Sequence, residues 1–136
     1  MASIFTKIIR GEIPSYKIHE CEHTFSFLDI NPIHPGHALV VPKVEVDCFI
    51  DVPEPYYSAV FRTSKLVARA IRDATGCKRV GTIILGWDVP HFHHHVVPMW
   101  GHGDLDFRKA KKIPAEQMRE MQEKIVAEMA TYINRS

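Results

Sequence analysis

Little in this chain suggests a cross-linked scaffold. Its three cysteines, Cys21, Cys48 and Cys77, are an odd number, widely spaced and without a Cys-x-x-Cys pair, so neither a disulfide framework nor a zinc ribbon is suggested. Charge of one sign is also lacking. Seventeen Lys and Arg face sixteen Asp and Glu, a formal net charge of +1, which gives no general pull toward nucleic acid or an anionic membrane. Long apolar runs are missing: stretches such as Ala38-Leu39-Val40-Val41 are far too short to span a bilayer. The opening Met1-Ala2-Ser3-Ile4-Phe5-Thr6-Lys7 does not have the uninterrupted apolar stretch of a secretory signal. No repeat, linker or low-complexity tract interrupts the chain. These absences predict a reduced, cytoplasmic-type compartment. With 136 residues, 46% hydrophobic and 24% charged, the chain is expected to form one domain, residues 1–136, that buries about two-thirds of its unfolded surface.

What the chain has in excess is histidine: nine in all, four of them between positions 91 and 95. Around them the pattern alternates between helix and strand signals. Ile4, Phe5, Ile8 and Ile9 recur at helical spacing, and Gly11 with Pro14 stops that short helix. Residues 16–20 and 24–29 read as short strands, and the Pro- and Gly-rich turn 31–36 delivers another over 37–41. The clearest helix runs from about 55 to 75. Tyr57, Val60, Phe61, Ser64, Val67, Ala68 and Ile71 form its apolar stripe, with Pro55 suited to the first turn and Gly76 to the C-terminal cap. Strands over 79–85 and 91–97 follow, bracketing Gly86-Trp87-Asp88-Val89-Pro90. A last helix, about 114–133, carries Met118, Met121, Ile125, Met129 and Tyr132 on one face. Strands that do not alternate regularly with helices predict an α+β fold with a mainly antiparallel sheet, a central helix and a C-terminal helix.

In a strand, alternate side chains share a face. His91, His93, His95 and Val97 would then line one side of the His-rich segment, and Phe92, His94 and Val96 the other. Three imidazoles on one face are hard to explain by packing, since each ring needs polar partners and Val or Ile would suit a strand better. A purification tag would sit at a terminus without apolar flanks. Two chemical readings remain: a metal site, because His-x-His on a strand chelates zinc, or nucleophilic catalysis, in which a neutral imidazole attacks phosphorus while its neighbours orient it.

The segment His91-Phe92-His93-His94-His95-Val96-Val97 resembles the signature of the histidine triad (HIT) family, in which histidines alternate with apolar residues. Ile4-Phe5-Thr6-Lys7-Ile8-Ile9-Arg10-Gly11-Glu12-Ile13-Pro14, Phe27-Leu28-Asp29-Ile30-Asn31-Pro32 and Pro35-Gly36-His37-Ala38-Leu39-Val40-Val41-Pro42-Lys43 are similar to the Hint-like branch, the small nucleotide-binding hydrolases. The matches run in order over residues 3–100. The resemblance implies a HIT-like α+β fold and a nucleotidyl hydrolase cleaving at the α-phosphorus of purine nucleoside phosphoramidates or related conjugates. It makes His93 the nucleophile of a covalent nucleotidyl-histidine intermediate. His95 would then contact the phosphate and leaving-group side, His91 would fix the orientation of His93, and His37 would join the cluster. It implies Asp29 as ribose ligand and Phe5, Ile8, Phe27 and Ile30 as the slot for the base. Dinucleoside polyphosphate cleavage, or a nucleotide-binding or signalling module with little turnover, are the alternatives.

Three departures bear on function. His94 replaces an apolar residue. Trp87 and Asp88 stand where relatives usually carry Gln and Ser, so an indole and a carboxylate replace donors to phosphate, and Asp88 becomes a candidate contact to the leaving amine or a repulsive one. Some relatives hold a structural zinc with a Cys-x-x-Cys and a later histidine. Ser3, Thr6 and Glu45 occupy those places, so that zinc site is expected to be absent, with no cofactor required. The basic run Arg108-Lys109-Ala110-Lys111-Lys112 reads as a solvated loop. The resemblance further implies a homodimer.

Overall fold

The computed structural model describes residues 2–133. Helix α1 (Ile4–Ile9) is opened by Ser3, whose side chain accepts the Thr6 N–H, and the chain leaves it through Gly11 at φ 79. Strands β1 (Lys17–Glu20), β2 (Thr24–Leu28) and β3 (Ala38–Pro42) lead to α2 (Tyr56–Thr75). Strands β4 (Arg79–Ile84) and β5 (His94–Met99) and the helix α3 (Ala115–Ile133) complete the order. The five strands form one sheet in the order β1-β2-β3-β5-β4, every neighbouring pair antiparallel. The architecture is α+β, as the unalternating run of strands predicts.

Two apolar layers sandwich the sheet. On one face Leu28, Ala38, Val40 and Val96 pack with Val60, Val67 and Ile71 of α2 and with Met118, Ile125 and Met129 of α3. On the other, Phe25, Phe27, Leu39 and Val41 pack with Phe5 and Ile8 of α1. The alternation along each strand divides these sets, so β2 and β3 are buried on both sides. Gly76, at φ 72, closes α2. The buried stripe of α2 takes in Thr63 and Ala70, while Tyr57 remains 38% exposed beside Phe61, with ring centroids 5.1 Å apart. No helix of the described residues is long and apolar enough to cross a membrane.

The His-rich strand expected over 91–97 begins only at His94. β4 ends at Ile84, opposite His94, and β3 ends its pairing there too, at Val40, so 91–93 lack ladder partners. Their backbone bonds go elsewhere: the Phe92 N–H donates to the Val46 carbonyl at 2.6 Å and the His91 N–H to the Val89 carbonyl at 2.8 Å. The alternation of faces nevertheless continues. Phe92 and Val96 join the α2 side, and His94 Nδ1 lies 2.8 Å from the Ser64 hydroxyl of α2, a buried partner for the one histidine that breaks the triad pattern.

Candidate active site

Four histidines meet on the α1 side of the sheet, and their main-chain contacts fix which nitrogen carries each proton. The Ile33 N–H donates to His37 Nδ1 at 3.0 Å, so the neutral ring keeps its proton on Nε2. That Nε2 faces His95 Nδ1 at 3.0 Å and therefore donates to it. His95 in turn carries its proton on Nε2, 3.0 Å from the Leu85 carbonyl. His93 Nδ1 lies 2.7 Å from the His91 carbonyl, which only accepts, so the His93 proton is on Nδ1 and its Nε2 keeps a lone pair. Such an imidazole is a nucleophile without prior deprotonation.

His93 and His95 line a cavity of about 630 Å³, with Phe5, Ile8, Phe27, Asp29, Ile30 and Asp88 also on its wall. Phe5, Ile8 and Phe27 are buried, whereas Ile30 is 58% exposed at the rim. The Phe5 ring meets the His93 ring edge-on, centroids 5.0 Å apart. Gly86 crosses directly over the His93 ring: a Cβ there would lie 2.5 Å from Nε2, so any larger residue displaces the imidazole. His91 and His37 are buried and do not line this cavity; they support its wall from behind. Asp29 accepts the Asn31 N–H on Oδ1 at 2.8 Å, and its Oδ2 stands 3.7 Å from His37 Nε2.

Burial dominates the electrostatics. It pushes His37 down to about 3, helped by the neighbouring His95, and His95 down to about 4, helped by His93. Burial also lowers His91 and His94 and raises Asp29. His37 and His95 are thus neutral at pH 7. Asp29, His37 and His95 bring three potential ligand atoms within 4.8 Å of one another. The Ile33 N–H, however, holds the His37 proton on the nitrogen that faces this group, so that nitrogen has no lone pair for a cation.

Ser3, Thr6 and Glu45 do come together, beside His91. Two hydroxyls and one carboxylate in place of thiolates do not fit the Cys and His donors of a structural zinc; here they bond to each other. Trp87 is 92% exposed and Asp88 is exposed at the cavity rim. The basic run is partly paired, Arg108 with Asp106 and Lys109 with Asp104. Sequence reasoning missed Phe107, whose ring lies 4.9 Å from that of His95 and 6.4 Å from that of His37. A lone aromatic in a polar loop gives no periodic signal. It also missed the Leu85 and His91 carbonyls, since main-chain groups leave no mark in a sequence.

Fold and site together define an α+β protein with a buried histidine cluster and two carboxylates, Asp29 and Asp88, on the wall of an apolar cavity. The HIT domain pattern matches residues 10–102, and the chain belongs to the HIT domain family. It is 38% identical over 106 residues to Protein hit of Bacillus subtilis, covering 74% of this chain and 73% of the relative. It is 31% identical over 132 residues to the adenosine 5'-monophosphoramidase HNT1 of Saccharomyces cerevisiae, covering 89% and 84%. A zinc-bound histidine triad family protein from Mycobacterium smegmatis superposes with a TM-score of 0.86 at 27% identity, covering 100% of this chain and 99% of that one.

Proposed function

We propose that this protein is a nucleotidyl hydrolase that cleaves purine nucleoside phosphoramidates, or related nucleotide conjugates, at the α-phosphorus. The observation that carries the reading is the His91 carbonyl on His93 Nδ1 at 2.7 Å, which leaves Nε2 unprotonated at the cavity wall. Similarity to a relative named as an adenosine 5'-monophosphoramidase supports the substrate class. In the first step the Nε2 lone pair forms a bond to phosphorus. The bond from phosphorus to the leaving amine breaks, and the amine takes up a proton from solvent. The positive charge on the nucleotidyl-imidazole is held by the His91 carbonyl through Nδ1–H. Water then attacks phosphorus, the Nε2–phosphorus bond breaks, and nucleoside monophosphate leaves as the water's proton returns to solvent. His95 supplies its Nε2–H to a phosphate oxygen, which replaces the Leu85 carbonyl as acceptor. No step calls on a metal or another cofactor, and three unpaired cysteines suit a reducing, cytoplasmic setting.

The base lies in the slot between Phe5, Ile8, Phe27 and Ile30, and Asp29 accepts the ribose hydroxyls. Asp29→Ala should weaken ribonucleoside monophosphate binding about tenfold, the worth of a charge-assisted hydrogen bond, and 2′-deoxy analogues far less. Calorimetry with both ligands checks this; an equal loss for both removes the ribose role.

A nucleotide-binding module with little turnover is the second reading. It is favoured by Trp87 and Asp88, which put an exposed indole and a carboxylate at the rim in place of neutral donors to phosphate. Calorimetry beside a turnover assay separates the two: binding without product supports the module. Dinucleoside polyphosphates, which share the α-phosphorus, are the alternative substrates to include in that assay.

A homodimer fits the sheet. β4 is the last strand in the order, and Ile84 at its end and Leu85 just after it are exposed, an arrangement that invites a second copy. Sedimentation equilibrium should give twice the chain mass; a monomer at micromolar concentration contradicts it.

A further inference from the structure

Ser3, Thr6 and Glu45 come from the start of α1 and the segment after β3, yet they converge on the back of His91. The Glu45 carboxylate accepts the Ser3 N–H at 2.5 Å and the Thr6 hydroxyl at 2.7 Å through one oxygen. The Ser3 hydroxyl accepts the Thr6 N–H at 3.0 Å and lies 2.8 Å from His91 Nδ1. On the other side of that ring, His91 Nε2 is 2.8 Å from the Pro42 carbonyl. A carbonyl only accepts, so the proton of neutral His91 is on Nε2 and Nδ1 accepts. The Ser3 hydroxyl at 2.8 Å is its nearer donor, with the Thr6 hydroxyl behind it at 3.4 Å from Nδ1 and 3.2 Å from the Ser3 oxygen. His91 is 1% exposed, so a ring left without the Ser3 hydroxyl would keep only the longer contact to the Thr6 hydroxyl at this buried nitrogen. The same residue's carbonyl holds the His93 proton. The helix that carries Ser3 and Thr6 is only six residues long, too short to persist without tertiary ties. Its Phe5 ring packs edge-on against both His91 and His93, with centroids 5.8 and 5.0 Å away.

We propose that Glu45, Thr6 and Ser3 form a metal-free positioning network that holds α1 against His91 and, through the His91 carbonyl, sets the tautomer and aim of His93. It occupies the place where the family resemblance implies a structural zinc, with hydrogen bonds in place of thiolate ligands. This rests on the reading of His93 as nucleophile and adds to it three residues that touch neither substrate nor phosphorus.

The test combines kinetics with adenosine phosphoramidate and ¹⁵N spectroscopy of the histidine rings, on wild type and on Glu45→Ala, Glu45→Gln, Ser3→Ala and Ser3→Thr. Glu45→Ala and Ser3→Ala should lower kcat about tenfold, roughly one hydrogen bond's worth, with nucleoside monophosphate affinity changed less than about twofold. Their His93 signals should shift from the Nδ1–H form toward a mixture of tautomers. Glu45→Gln keeps an accepting oxygen and Ser3→Thr keeps the hydroxyl, so both should restore kcat and spectrum. Glu45→Ala leaves the Ser3 cap of α1 in place and reads the network should Ser3→Ala unfold. Wild-type kcat and tautomers in Glu45→Ala, or a stability loss alone, would overturn the proposal. So would Glu45→Gln as impaired as Glu45→Ala, because charge and not hydrogen bonding would then be acting. If wild type turns nothing over, the tautomer shift still decides the network, while the failure of turnover counts against the proposed reaction alone.

Discussion

His93→Ala should lower hydrolysis of adenosine phosphoramidate by about 10³-fold or more, the scale of losing a nucleophile from a concerted site, and leave the fold and nucleoside monophosphate binding intact. Among the described residues the side chain's hydrogen bond is to a carbonyl, so its removal strands no charged hydrogen-bond partner, and its other nitrogen faces the cavity. The proposed base slot and Asp29 belong to α1, β2 and the turn after it, so they stay in place when the ring is removed. A variant within a few-fold of wild type, or one that loses binding and turnover together, would refute the assignment.

Acid should destabilise this protein more steeply than a typical neutral domain. His37 and His95 sit near 3 and 4 in the folded state, against about 6.5 in an unfolded chain. Between those values the unfolded chain binds protons that the folded one refuses, so stability is complete above about pH 6.5 and falls as the pH drops. Each group then contributes about 1.4 kcal/mol per pH unit, and the pair together costs roughly 4 kcal/mol between pH 7 and pH 5. His91 and His94, also lowered by burial, act in the same sense. Asp29, raised by burial, takes its proton first in the folded state and offsets part of the loss. Urea midpoints at pH 7 and pH 5 check this, and a midpoint unchanged between them would contradict buried, neutral His37 and His95.

Most of the fold is legible in the sequence because its elements carry periodic signals. The three helices and five strands fall within a few residues of the 3.6- and 2-residue patterns. The His-rich segment is the instructive exception. Its alternation is that of a strand, but a ladder needs partners, and β3 and β4 stop pairing opposite His94. The faces of His91 and His93 therefore follow the pattern, while their backbone bonds do not. The placing of the site also depends on contacts without a sequence signature. The carbonyls of His91 and Leu85 decide where protons reside on His93 and His95, and any residue type supplies a carbonyl. Ser3 and Glu45, 42 positions apart, become partners only once α1 folds across the end of β3. The need for glycine at position 86 is likewise visible only in the structure, where the His93 ring leaves no room for a Cβ.

The covalent step is tested most directly by intact-protein mass spectrometry after a rapid, acid-free quench with adenosine phosphoramidate, comparing wild type with His93→Ala. The predicted result is a transient adenylyl increment on wild type alone, rising before nucleoside monophosphate accumulates and decaying with it. Product formed by wild type with no adduct at any quench time, together with inversion of configuration at phosphorus, would mean direct attack by water and would contradict His93 as the nucleophile.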